Sequence, residues 1–245
     1  MLGTINCIEY PLKKIARGSQ FIIYGNQDFA VKRYALKRNA FAPYGADRAL
    51  ESYQAAKQIP DMVLPFEIVP ELECRLVRWR GWRVTPEKFK DAVVQTRVPD
   101  QSVLTNHLAE FARTQNFSAI QTVLHKVTIF VQEIICQGLY LPDPTPANLC
   151  LEGKSLKLLD CGKLQTDLNH VLYVLQNNPE ARDHIENIFR GYGFLIYNMT
   201  NSPDSVADNA FDRLAKLIMA FKRRFLEIYV PSNIAKLWGT YKSTP

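Results

Sequence analysis

The sequence contains no pair of cysteines spaced as C-x-x-C, and its five cysteines, Cys7, Cys74, Cys136, Cys150 and Cys161, are scattered along the chain. Scattered cysteines do not form the even framework of a disulfide-rich secreted domain, so we expect free thiols in a reducing compartment. The four histidines stand apart from one another and from the cysteines. This spacing gives no indication of a zinc site.

The sequence also lacks the patterns of a targeting segment and of a membrane span. Its N-terminus, MLGTINCIEYPLKKIARG, has neither the basic start nor the long apolar run of a signal peptide. No stretch approaches the roughly 18 consecutive apolar residues that indicate a membrane span. We therefore expect a soluble, cytoplasmic protein with no membrane partner, and export as a leaderless effector stays open.

Neither sign of charge is strongly in excess, since the formal net charge is +6 and charged residues are 22% of the chain. A mildly basic protein suits anionic ligands such as nucleotides. Aromatic and basic residues are not interleaved as on a nucleic-acid-binding surface, so we expect no nucleic-acid partner. Hydrophobic residues are 47% of the chain, enough for one large domain or two small lobes with a real core. We expect a monomer.

Strand patterns come first along the chain and helix patterns follow. Residues 11–80 contain β-rich runs such as QFIIYGN and DFAVKRY, separated by a turn signal, and one helix pattern, GADRALESYQAAKQI. Residues 83–100 are interpreted as a mixed connector. The segment SAIQTVLHKVTIFVQEIICQG then repeats apolar residues at the helical period and stops at Gly138. The sequence predicts an α+β fold in one domain over 1–245, with a β-rich lobe over about 1–80 and a helical lobe over about 84–245.

A loop rich in proline follows the long helix pattern. The stretch LPDPTPAN presents Asp143 and Asn148, and a short apolar hairpin pattern with Gly153 at its turn leads from it to Asp160 in the sequence D-C-G. Taken singly, each of these residues is explained by ordinary turn chemistry. Their order and spacing together indicate a site for metal and phosphate instead.

This segment resembles the catalytic loop of the protein-kinase-like superfamily. The family has H-R-D-x-x-x-x-N, then a hairpin and D-F-G, and this chain has L-P-D-P-T-P-A-N and then D-C-G. Upstream, FAVK at residues 29–32 resembles the V-A-I-K of the family. The chain is most similar to minimal or atypical bacterial members, which include effector kinases and pseudokinases. The resemblance implies a bilobal fold with a small β-rich N-lobe that carries one helix and a mostly helical C-lobe.

The resemblance assigns three residues of the first lobe to ATP. Lys32 would clamp the α- and β-phosphates, and Glu51, in the middle of the predicted helix, would hold that lysine in place. Gly18 is the one glycine of the family's phosphate loop that the alignment keeps, because Ala16 and Phe21 take the other two places.

The resemblance assigns three residues of the second lobe to metal binding and transfer. Asn148 and Asp160 would hold Mg²⁺, or Mn²⁺, through their oxygen atoms. Asp143 would accept the proton of the acceptor hydroxyl. The implied activity is ATP- and Mg²⁺-dependent transfer of phosphate to a Ser or Thr hydroxyl of a protein acceptor whose identity the sequence does not give.

Departures from the family pattern leave other functions open. Leu141 and Pro142 replace the His and Arg before the catalytic aspartate, Thr145 replaces the lysine two positions after it, and Cys161 replaces the Phe of D-F-G. Without that arginine, a phosphorylated activation loop has no partner. The alternatives are a pseudokinase scaffold that acts by protein contact, and a small-molecule kinase or nucleotidyl transferase.

Overall fold

The computed structural model describes residues 7–17, 21–34, 46–78, 83–179, 183, 185, 188–200 and 209–242. Gly18, which the resemblance assigns to a phosphate loop, lies outside the described residues. The chain divides into two compact units, Met1–Val98 and Pro99–Pro245. Strands dominate the first unit and helices the second, so the predicted α+β class is confirmed.

The first unit is a closed five-stranded β-barrel. Its strands are β1 (Cys7–Arg17), β2 (Phe21–Gly25), β3 (Phe29–Tyr34), β4 (Phe66–Arg78) and β5 (Arg83–Thr96), and α1 (Ala46–Ala56) lies between β3 and β4 in the sequence. The strands follow the order β1-β2-β3-β5-β4 around the barrel. Adjacent strands are antiparallel, except that β1 and β4 pair in parallel and close the barrel.

The closed barrel shows that the predicted protein-kinase-like fold is wrong, because the small lobe of that family is an open sheet. Closure depends on β1, whose Ile8 pairs with Cys74 of β4 and whose Leu12 pairs with Leu76. These four side chains are buried in the barrel, and along β4 buried side chains alternate with exposed ones. The barrel core consists of Ile8, Leu12, Val31, Val69, Leu72, Cys74, Leu76, Phe89, Ala92 and Val94.

The prediction of a connector at residues 83–100 is wrong as well, because most of that segment is β5. It pairs with β4 along nearly its whole length and with β3 at its C-terminal end. Phe89 and Val94 are buried, whereas Lys88 and Lys90 are exposed. The runs MVLPFEIVP and LECRLVRW, predicted as two strands, likewise contribute to the single strand β4. The first unit therefore extends to Val98.

The hairpin of β2 and β3 confirms the turn that the sequence predicted between them. Gly25 pairs with Ala30, and the side-chain oxygen of Asn26 accepts hydrogen bonds from the backbone N–H groups of Asp28 and Phe29, at 2.9 and 2.8 Å. An asparagine that bonds the backbone of following residues is a common way of closing such a turn. This turn fixes the register of β3 and thereby the face on which Lys32 lies.

The described part of the second unit contains helices and one hairpin. The helices are α2 (Leu104–Arg113), α3 (Phe117–Cys136), α4 (Leu168–Asn177), α5 (Phe194–Thr200), α6 (Ala210–Ile228) and α7 (Pro231–Lys242), and the hairpin strands are β6 (Leu149–Glu152) and β7 (Ser155–Leu158). The hairpin turns at Gly153, whose φ of +62° is a conformation that favours glycine. Both the hairpin and the long helix α3 were predicted from the sequence and are confirmed.

Helix α3 is the core helix of the second unit. Its N-cap Asn116 accepts a hydrogen bond from the Ala119 N–H at 3.1 Å, and Gly138, with φ +75°, follows its C-terminal end. Among the described residues it is the one helix long and apolar enough to cross a membrane by length and composition, with 50% of that window buried. Its apolar side chains pack against α2, α6 and α7, as expected for the central helix of a globular unit.

Candidate functional site

The loop predicted to be catalytic joins α3 to β6 and is anchored at both ends. At its start, the backbone groups of Tyr140 and Gln165 bond each other in both directions, at 2.8 and 3.0 Å. At its end, residues Pro146–Asn148 form a 3₁₀ turn, and the carbonyl of Asn148 accepts a hydrogen bond from the Leu159 N–H at 2.8 Å. The segments on either side of Asp160 therefore hold the two ends of the loop.

Two buried tyrosines fix the middle of this loop. The hydroxyl of Tyr229 donates a hydrogen bond to the carbonyl of Leu141 at 2.5 Å, and the hydroxyl of Tyr192 donates one to the carbonyl of Pro144 at 3.2 Å. Burial raises the pKa of both hydroxyls well above the ordinary value, and the charge of Asp143 adds to the rise. Both tyrosines therefore stay protonated and act as donors on either side of Asp143.

Replacing Tyr229 with phenylalanine is expected to lower the free energy of unfolding by about 1–3 kcal/mol, because the buried Leu141 carbonyl loses this donor. Urea denaturation of the wild type and the variant measures the difference. Tyr173→Phe is the matched control, since Tyr173 is 66% exposed on α4 and its loss of a hydroxyl should leave stability unchanged. Equal stability of Tyr229→Phe and wild type would show that the hydroxyl does not hold the loop.

Asp143 lies between these anchors, and its carboxylate is paired. Its Oδ2 accepts a hydrogen bond from Lys163 Nζ at 2.8 Å, with the aspartate side chain 17% exposed and the lysine side chain 37% exposed. The Nδ2 group of Asn148 donates to the backbone carbonyl of Asp143 at 3.0 Å. With its nitrogen donating to this carbonyl, the amide of Asn148 still has its oxygen, an atom type that binds Mg²⁺ in proteins.

Asp160 lies two residues after the end of β7, next to Leu159, which bonds the end of the loop. Its Oδ1 accepts a hydrogen bond from the Gly162 N–H at 3.1 Å, which forms a tight turn after the strand. Because Leu159 bonds Asn148, Asp160 is brought next to Asn148 at the open end of the hairpin. Cys161 is fully buried, as expected for a small packed apolar group.

Asn148 and Asp160, at the end of the hairpin, are too few to hold a metal ion by themselves. They suit Mg²⁺, which takes its other ligands from water and phosphate. The described residues contain no group of three or more His, Cys, Asp or Glu side chains that could hold a metal ion. Magnesium is commonly held by one or two carboxylates together with waters and substrate phosphates. Asp160 and the amide oxygen of Asn148 would supply such a partial set of oxygen ligands, a set that would suit Mg²⁺ bound together with a nucleotide.

In the barrel unit, Lys32 is buried, and the partner of its ammonium is a tyrosine. Lys32 Nζ donates to the hydroxyl of Tyr53 at 2.6 Å, and the lysine is 5% exposed. Glu51, predicted to hold this lysine, is exposed on α1. Residues two positions apart lie about 200° apart around a helix, so the face that carries Tyr53 inward carries Glu51 outward. The structure therefore brings Lys32 together with Tyr53 and not with Glu51.

Phe21, which occupies a glycine position of the family's phosphate loop, contributes to the packing around Tyr53. Its side chain is buried at the start of β2, and its ring meets the Tyr53 ring edge-on, with centroids 6.0 Å apart. Tyr53 is itself fully buried on α1. The Phe21 side chain therefore stabilises the packing of α1 through Tyr53, a structural role that sequence reasoning did not assign to it.

Sequence reasoning missed Lys163 and the two tyrosines that hold the loop. Lys163 follows D-C-G directly, so its place after the metal-binding pattern was a usable signal, but its contact with Asp143 requires the hairpin to reverse the chain. The tyrosines gave no local signal. Tyr192 and Tyr229 lie 48 and 88 positions beyond the carbonyls they bond.

Comparison with protein-family models gave no match, and comparison with curated proteins gave no significant match. The geometry of the loop and of the buried lysine is therefore what supports an assignment of function. The likeness of LPDPTPAN and D-C-G to a kinase catalytic loop remains a prediction.

Proposed function

We propose that this protein is an ATP- and Mg²⁺-dependent phosphotransferase that transfers phosphate to a serine or threonine hydroxyl of a protein. The observation that carries the proposal is the anchored loop, in which the Asp143 carboxylate pairs with Lys163, the Asp143 carbonyl accepts from Asn148, and the Asn148 carbonyl accepts from Leu159, the residue before Asp160. Phosphoryl transfer requires positioned charge from the protein more than covalent chemistry. The proposal depends on this chemistry and not on a fold family, because one chemistry recurs on unrelated folds.

Asp143 and Asn148 of the loop, and Asp160 and Lys163 after the hairpin, each have a definite task in this reaction. The acceptor hydroxyl oxygen forms a bond to the γ-phosphorus, and its proton moves to Asp143. The bond from that phosphorus to the bridging oxygen breaks, and ADP leaves with the electron pair. Lys163 stabilises negative charge on the transferred group. Asn148 and Asp160 would hold Mg²⁺, which when bound neutralises charge on the phosphates.

Lys32 is the residue of the barrel unit that we assign to a phosphate. Its ammonium is buried and donates to the hydroxyl of Tyr53, and a lysine ammonium is a cation that phosphate oxygens commonly bind. In this proposal Tyr53 takes the orienting task that the family resemblance gave to Glu51. The exposed Glu51 has no task in it.

A second candidate is a nucleotide-binding scaffold that acts by protein contact without transfer. One observation favours it, since Lys163 Nζ already pairs with Asp143 Oδ2 at 2.8 Å, one of the two oxygens to which an acceptor hydroxyl could bond. If the acceptor hydroxyl bonds Oδ2 in the transferase, the lysine has to release that oxygen when substrate binds. An ion pair that is 17% and 37% exposed is only partly desolvated, so this exchange carries a modest energetic cost.

Intact-mass measurement separates the candidates. The purified protein is incubated with Mg²⁺ and ATP, alone and with cell lysate, and the masses of the protein and of labelled lysate proteins are recorded. Addition of phosphate to a protein hydroxyl supports the proposal, and addition of AMP indicates a nucleotidyl transferase. Binding of Mg-ATP without any mass change indicates the scaffold.

Magnesium is expected to be needed for stabilisation by nucleotide. At ATP concentrations a hundredfold above Kd, we expect Mg-ATP to raise Tm by about 5–10 °C and ATP with EDTA to raise it much less. Asp160→Asn should lose most of the difference, because it removes a charged metal ligand. Asp167→Asn is the matched control, since Asp167 caps α4 by accepting the His170 N–H at 3.1 Å and asparagine caps equally well. Equal stabilisation with EDTA and with Mg²⁺ would contradict the metal role.

The proposal includes a cytoplasmic location and a monomeric state. Light scattering on the purified full chain measures the molecular mass directly. The mass of one 28.1 kDa chain agrees with it, and the mass of two chains contradicts it.

A further inference from the structure

The outer face of the barrel carries a group of buried polar side chains. Lys32 on β3 and Gln95 on β5 are 5% and 3% exposed. Their neighbours Val31 and Val94 belong to the barrel core. Because side chains alternate along a strand, Lys32 and Gln95 both point away from that core and share the outer face.

The strand register places the two side chains close together. Gln95 pairs with Ala30, and Lys32 pairs with Val93, so Lys32 and Gln95 are diagonal neighbours on adjacent strands. Diagonal neighbours on one face lie about 7–8 Å apart, so one small ligand could contact both side chains. On the other side of Gln95, Phe66 of β4 is its direct partner in the register.

Tyr53 of α1 contacts both Lys32 and Phe66 on this face. Its hydroxyl accepts the hydrogen bond from Lys32, and its ring meets that of Phe66 at a centroid distance of 5.1 Å. The lysine, the glutamine and the two rings are therefore neighbours on the outer face of the barrel.

The amide nitrogen of Gln95 is buried and has no hydrogen-bond partner among the described residues. A buried donor without an acceptor is destabilising, and folded proteins retain few of them. An apolar residue of similar length would fill the same space without this cost. The presence of glutamine at this point, next to a buried lysine, is explained if a ligand supplies the acceptor.

We propose that Gln95 is a nucleotide-binding residue whose Nε2 group donates a hydrogen bond to an acceptor atom of the ligand that Lys32 binds through a phosphate. The inference rests on the proposed function, because it takes the ligand to be ATP. Two parts of ATP carry suitable acceptors, the ring nitrogens of the base and the oxygens of the phosphates. A neutral amide donor fits either one.

Gln95→Met in the full chain tests the inference, because methionine keeps the length of the side chain and removes the amide. We expect Tm to rise by about 2–4 °C without ligand, as the unpartnered donor is removed. We expect the Kd for Mg-ATP to rise about five- to tenfold, the effect of losing one hydrogen bond. Calorimetry with adenosine, Mg-ATP and Mg-tripolyphosphate then locates the acceptor. Weakening for adenosine and ATP identifies a ring nitrogen, and weakening for ATP and tripolyphosphate identifies a phosphate oxygen.

Thr128→Val is the matched control, since Thr128 is a buried polar residue of α3 whose hydroxyl donates to the Leu124 carbonyl at 3.0 Å. Thr128→Val should leave nucleotide affinity unchanged and should not raise Tm. A Gln95→Met protein that is more stable but binds Mg-ATP like the wild type overturns the inference and leaves the proposed function intact. A Gln95→Met protein with lowered Tm overturns it too, because the amide then has a partner in the free protein. Wild type that binds no Mg-ATP overturns the inference together with the proposed function.

Discussion

Asp143→Asn is expected to lower the rate of phosphoryl transfer by about a hundred- to ten-thousandfold and to leave Mg-ATP affinity unchanged. The amide has nearly the shape of the carboxylate but cannot accept the proton of the acceptor hydroxyl. Nucleotide affinity should persist because Asn148 and Asp160, rather than Asp143, are the proposed metal ligands. Transfer of labelled phosphate and calorimetric Kd values, measured on the same preparation, give the two results.

Loss of the Asp143 charge also removes the partner of Lys163, so stability must be checked in the same variant. A partly exposed ion pair contributes little to stability, and we expect Tm to change only slightly. Asp167→Asn is again the control, because it makes the same chemical change at an exposed helix cap of the same unit. Unchanged transfer in Asp143→Asn would show that the loop LPDPTPAN is not the catalytic loop.

Lys32→Met is expected to weaken Mg-ATP binding about ten- to a hundredfold, because a charged hydrogen bond to a phosphate is lost. Methionine fills a similar volume in the space beside Tyr53 and removes a buried charge, so the fold should remain intact. Calorimetry with Mg-ATP measures the affinity, and thermal unfolding without ligand confirms folding.

Lys57→Met is the matched control for this result, since Lys57 is an exposed lysine that follows α1 in the same unit. It makes the same change in net charge without touching the buried group around Tyr53. If both variants bind Mg-ATP like the wild type, Lys32 is a structural lysine and the assignment of the barrel unit to the nucleotide is wrong.

The sequence was sufficient wherever neighbouring residues determine the structure. The turn at Asn26, the hairpin at Gly153 and the long helix ending before Gly138 are each specified by residues within a few positions of one another. Turn chemistry and hydrophobic period act over that range. For the same reason the order of Asp143, Asn148 and Asp160 around the hairpin could be predicted.

The strand β5 could not be predicted from the sequence because charged residues occupy its exposed face. Lys88 and Lys90 alternate with inward residues such as Phe89, and Pro86 lies within the strand. Read singly, this segment looks like a connector. Pairing with β4 along most of its length is what makes it a strand, since packing on a partner strand outweighs intrinsic strand preference.

The sequence by itself determined the α+β order, the hairpins, the core helix and the placement of Asp143, Asn148 and Asp160 around one turn. The tertiary structure alone decided that β1 closes a barrel on β4, that Tyr53 rather than Glu51 meets Lys32, and that Lys163, Tyr192 and Tyr229 surround the loop of Asp143. These contacts join residues far apart in the chain. They form because packing selects which helix face is buried and which strand edges meet, and no local pattern carries that information.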